Sequence, residues 1–144
     1  DTLLVAATLF AVVTLAQVQV GEEICIEGYI MDRYCIERGT LLDNKSVESL
    51  KGPGEHSLHC LVDVPKCYQS GFEVLIDPLE GSNTYCRGFL LDDDGTMETR
   101  ELAQSFGSKT GCSTCTEENG SQKKGFRATI SGTVTSVGNT NTPA

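Results

Sequence analysis

Tryptophan is missing from this 144-residue chain, and five Phe and four Tyr are its whole aromatic complement. With so few large rings a core stays modest, so burial supplies only part of the stability a domain of this size needs. Basic residues are scarce as well: 11 Lys and Arg face 20 Asp and Glu, for a net charge of −9. The densest basic group is Lys123, Lys124 and Arg127, too small to form a stripe that tracks phosphates, which argues against nucleic acid as a partner. No Gly-x-Ser-x-Gly elbow and no phosphate-cradling glycine loop occurs, so the familiar serine-hydrolase and nucleotide-binding chemistries have no anchor. The acidity itself suits a solvated surface that keeps a secreted protein soluble.

Cysteine, by contrast, is abundant. Cys25, Cys35, Cys60, Cys67, Cys86, Cys112 and Cys115 all follow an uncharged apolar stretch from Leu3 to Val20. That stretch has the blandness of a secretory h-region, with small residues suited to cleavage after Ala16, so residues 1–16 read as a signal peptide. Alternatively the apolar segment is retained as a helix, because its length approaches the roughly 20 residues that span a bilayer. Export places the cysteines in an oxidising compartment, where all seven are disulfide candidates and one stays odd. The preferred pairing links Cys35 to Cys60 or Cys67 and leaves Cys112 and Cys115 as a second staple region. Residues 17–137 then form a single disulfide-stapled domain, and 138–144, which lack an apolar face, read as a flexible tail or linker. Asn44-Lys45-Ser46 and Asn119-Gly120-Ser121 match the N-glycosylation acceptor pattern.

Periodicity locates the elements. Ile24, Ile26, Gly28 and Ile30 alternate with Cys25, Glu27, Tyr29 and Met31, which predicts a half-buried strand. Phe72 to Ile76 and Thr84 to Leu91 read as two more, and Phe126 to Val134 as the cleanest of all. A short capped helix is expected in Leu41–Leu50 and another in Thr99–Phe106, with Asp94-Gly95 as a hairpin turn. The segment Glu55–Val64 suits a helical turn or two ending at Pro65, or a strand. Strands separated by long cysteine-bearing loops predict a mainly β fold: a small antiparallel, OB-like barrel with one or two short helices and disulfide-stapled loops.

The sharpest chemical feature is His56-Ser57-Leu58-His59-Cys60, which holds the only two histidines beside a cysteine. On a helix His56 would share a face with His59 and with Cys60, and such a set can grip one metal. Imidazole suits copper or zinc, and Cys35 or Cys67 could complete a mixed nitrogen and sulfur site if it were not in a disulfide. The competing reading has Cys60 oxidised and both rings bracing the loop. Cys112-x-x-Cys115 has redox-dithiol spacing, but its glycine-rich flanks favour a structural staple. Asp92-Asp93-Asp94-Gly95 with Glu98 and Glu101 fails as an EF-hand loop because Leu90 falls at the first ligand position.

Gly28-Tyr29-Ile30-Met31-Asp32-Arg33-Tyr34-Cys35, then His56 to Cys60, Cys67, Ser70-Gly71-Phe72 and Ala128 to Val134 resemble a loose family of small exported β-barrel domains with an Asp-x-x-Cys followed by a His and Cys loop. The resemblance implies a barrel and export, and it transfers no activity. The expected protein is a secreted acidic β-barrel acting as an extracellular binding or assembly module rather than an enzyme, with no cofactor required. Its partner would be an extracellular protein, a glycan or a second copy, and a membrane only if the apolar N-terminus is retained. Two alternatives stand beside it: a copper, zinc or haem redox module built on His56, His59 and Cys60, and a structural subunit of an extracellular filament or matrix that keeps residues 1–20. A thiol oxidoreductase using Cys112 is a third.

Overall fold

The computed structural model describes residues 17–106 and 123–138; residues 1–16, Cys112, Cys115 and Asn119, together with nearly all of the C-terminal tail, lie outside them. In chain order the elements are β1 (Glu23–Asp32), α1 (Arg33–Arg38), a 3-10 turn (Pro53–Glu55), α2 (Leu58–Val62), α3 (Pro65–Tyr68), β2 (Phe72–Ile76), β3 (Cys86–Leu90), α4 (Asp93–Ser105) and β4 (Arg127–Thr133). Among the described residues no helix is long and apolar enough to cross a membrane.

The four strands form one antiparallel sheet in the order β3-β2-β1-β4. The fold is therefore mainly β, as its alternating segments imply, but the expected barrel does not close. Strands β3 and β4 remain edges, and the end of β3, the start of α4 and β4 line a groove between them at Leu91, Gly95, Glu98 and Ile130.

Both faces of the sheet are covered. Ile30, Phe72, Val74 and Phe126 pack with Leu58, Leu61 and Val62 of α2 and Ala103 of α4. On the other face Met31 and Leu75 pack with Cys35 and Ile36 of α1 and with Leu41. One residue of strand phase thus decides which cluster a side chain joins. Gly28 sits where β1 passes beneath the β2 bulge at Val74 and Leu75, and a Cβ there would overlap the Leu75 carbonyl oxygen. Glu73 is fully buried on the α1 side, where Arg87 grips both its carboxylate oxygens and Arg33 Nε approaches to 3.5 Å.

Several expectations need correction. Leu41–Leu50 is not a helix: Thr40 bridges Glu48, and Leu41, Val47 and Leu50 pack under the sheet from an irregular loop. Asp94-Gly95 is not a hairpin turn, because Asp92 caps α4 by accepting from Gly95 N at 2.7 Å, and the acidic run sits at the positive end of a helix dipole. The stapled loops are also not observed, since the five described cysteines are all free. Register explains two of them: Cys25 faces Ser131 and Cys86 faces Ile76, so neither has a cysteine across the ladder. The other three converge.

Candidate metal centre

Where β1 ends, its last residue caps the next element. Asp32 Oδ1 accepts from Cys35 N at 2.9 Å, so Cys35 is set one turn into α1 by the side chain of the strand terminus. The remaining amides of that first turn are also taken: Arg33 N donates to Gly71 O and Tyr34 N to Ser70 Oγ, each at 2.9 Å. Ser70 Oγ in turn donates to the Cys67 carbonyl at 2.6 Å, which ties α1 to the end of α3. Gly39, at φ 86°, closes α1 in the left-handed conformation that glycine adopts without strain. Ser49 Oγ caps the Cys35 carbonyl at 2.6 Å.

His56 precedes α2 in extended backbone, with φ −70° and ψ 122°, and its carbonyl accepts from Gly125 N at 2.9 Å. Cys60 lies within α2 and Cys67 within α3, which begins at Pro65. Arg100 of α4 holds both short helices: Nε and Nη2 donate to the Val62 carbonyl at 3.1 and 2.8 Å, and its guanidinium lies 3.8 Å from the Tyr68 ring centroid. A remote arginine therefore positions the segments that carry Cys60 and Cys67.

These elements bring Asp32, Cys35, Cys60 and Cys67 together, each with a donor atom within 4.8 Å of the others. All four side chains have zero exposure, and His56, at 1%, is sealed beside them. His56 Nε2 lies 2.7 Å from Asp32 Oδ2, while its Nδ1 is buried without a hydrogen-bond partner. The imidazole also interacts with Cys35 and Cys60, whose Sγ lies 3.8 Å from Ser57 Oγ.

The electrostatics follow from the crowding. Hydrogen bonds from Cys60, then Cys67, pull the Cys35 pKa far below the ordinary thiol range against the cost of its burial. The bond to Cys35 correspondingly pushes Cys60 and Cys67 upward. Burial opposes a charge on His56, yet the bond to Asp32 and the neighbouring Cys35 and Cys60 sulfurs outweigh it and hold its pKa well above the usual imidazole value.

Of the three residues that sequence reasoning named as metal donors, Cys60 belongs to the cluster, His56 adjoins it through Asp32, and His59 stands apart. His59 lies on α2, 40% exposed, with Nδ1 3.0 Å from Asp63 Oδ2. The reason is that His56 stands outside the helix, so the shared face expected for the two histidines does not form. Cys35 and Cys67, either of which was expected to complete the site, are both present. Asp32 was missed as a site residue, although the Asp-x-x-Cys spacing contains its capping signal. Asn44 is half-buried, with Oδ1 accepting from Ser46 Oγ at 2.7 Å.

No known relative decides what the cluster holds. No family model matches the chain, and no curated protein or solved structure matches it. A buried group of one carboxylate and three thiols can hold a metal ion. Ligand distances of about 2.3 Å for sulfur around a tetrahedral ion imply sulfur separations of about 3.8 Å, which the 4.8 Å envelope accommodates.

Proposed function

We propose that the chain is a small exported metal-binding module whose ligand is one soft or borderline ion, zinc or copper(I), held by Cys35, Cys60 and Cys67. The observation that carries this reading is the convergence of three sulfurs and the Asp32 carboxylate at zero exposure. Thiolates select such ions over calcium or magnesium, which prefer all-oxygen sets. A site sealed from solvent leaves no open position for substrate, so the metal serves structure or storage rather than catalysis. Its effect is to lock α1, α2 and α3 onto the end of β1, the task that sequence reasoning assigned to disulfides. Metal ligation also explains how three thiols could persist side by side in an exported protein, because a bound thiolate is withdrawn from exchange.

Cobalt(II) titration of the reduced protein tests this. One equivalent should produce an intense thiolate-to-cobalt charge-transfer band, and zinc should bleach it. The Cys60→Ser variant should lose most of that band. A featureless titration of a folded, fully reduced protein would exclude the reading. A disulfide between two of the three sulfurs, found in protein never exposed to added oxidant, would restore the staple that the sequence suggests.

A further inference from the structure

Three sulfurs leave a fourth position, and two groups adjoin it. Asp32 approaches all three sulfurs, but both its oxygens already have protein donors: Cys35 N on Oδ1 at 2.9 Å and His56 Nε2 on Oδ2 at 2.7 Å. His56 is the opposite case, since its ring lies beside Cys35 and Cys60 while its Nδ1 is buried without a hydrogen-bond partner. A buried polar atom without a partner is uncommon and asks for a ligand. Tautomer chemistry points the same way. Once metal binding has displaced the second ring proton, a carboxylate that accepts from Nε2–H keeps the remaining proton on that nitrogen and leaves the Nδ1 lone pair for the metal. Metal-bound histidines almost always donate their second ring N–H to such an acceptor.

Resting on the metal reading above, we infer that the ion is bound by Cys35, Cys60, Cys67 and His56 Nδ1, with Asp32 as a positioning residue that sets the imidazole tautomer. The donor set is then three sulfurs and one nitrogen, an established closed arrangement for zinc. Asp32 performs two positioning tasks with its two oxygens: Oδ1 places Cys35 and Oδ2 aims His56.

Cadmium-113 NMR of the reduced full chain with 15N-labelled histidine tests the assignment on the unaltered protein. The expected result is one cadmium resonance coupled to a single imidazole nitrogen, His56 Nδ1, with none to His59. Asp32→Asn should keep that coupling and the cadmium shift while weakening affinity about 10- to 100-fold. Cadmium bound with no coupling to nitrogen, or a coupling lost in Asp32→Asn together with a changed cadmium shift, would overturn this donor set and leave the three-thiolate site standing. Failure of the reduced protein to take up cadmium at all would overturn the metal reading itself, and this inference with it.

Discussion

His56 and Asp32 meet through a 2.7 Å hydrogen bond between residues 24 apart in sequence, both sealed from solvent. The contact joins the end of the first strand to the start of α2, and it draws two otherwise unrelated short motifs, Asp-x-x-Cys and His-x-x-x-Cys, into one site. Asp32→Ala removes both the α1 cap and the hydrogen-bond partner of His56 Nε2. The expected cost in the metal-free protein is roughly 3 to 5 kcal/mol, dominated by stranding a buried polar ring. Urea unfolding measures it, and a variant as stable as the parent would show that the contact carries no weight.

Arg100 makes a second prediction because its two donors share the Val62 carbonyl while its plane covers Tyr68. Lysine cannot reproduce a planar fork with a stacked face. Arg100→Lys should lower stability by about 1 to 2 kcal/mol and weaken metal binding severalfold despite touching no ligand. An unchanged cobalt titration would show that α2 and α3 hold their places without the clamp.

Gly28→Ala should be among the most damaging single substitutions. The added methyl meets backbone, the Leu75 carbonyl, rather than a side chain that can move aside. Overpacking of that kind costs about 3 kcal/mol or more. Thermal unfolding reads the effect, and a mild loss would mean that the β2 bulge can shift to admit a methyl group.

Proton competition sets the pH dependence of metal binding. Cys35 is already drawn toward the thiolate, whereas Cys60 and Cys67 are pushed up and must each lose a proton when the ion binds, as must His56, whose pKa is raised. Apparent affinity should therefore rise from pH 6 to pH 8 by more than one decade per pH unit, since more than one proton leaves, and acidification should release the ion. A chelator competition series checks this, and a pH-independent affinity would contradict thiol ligation.

How much of this was legible beforehand varies by residue. Strands β1 and β4 were, because Ile24, Ile26 and Ile30 fall on one face of the first and Phe126, Ala128 and Ile130 on one face at the second. Six-residue α1 was not, because only Cys35 and Ile36 are buried on it and one turn leaves no period to detect. Asp92 to Asp94 suggested a turn since acids and glycine favour turns as readily as helix starts, and only tertiary packing of Thr96, Thr99 and Ala103 selects the helix. His56 and Cys60 stood out as a pair, but Cys35 and Cys67 could be assigned to metal or to disulfide only after the short helices brought all three sulfurs to one point. Asp32 stood out only as the first residue of the Asp-x-x-Cys spacing, with no site role attached to it. Its importance comes from a contact across 24 residues, which no local pattern encodes.

Native mass spectrometry of the protein purified without added oxidant, reductant or chelator tests the central claim most directly. The metal account predicts one zinc or copper ion per chain, lost on acidification, with Cys35, Cys60 and Cys67 alkylated only after the ion has left. A metal-free mass together with a disulfide joining two of those three cysteines would contradict it.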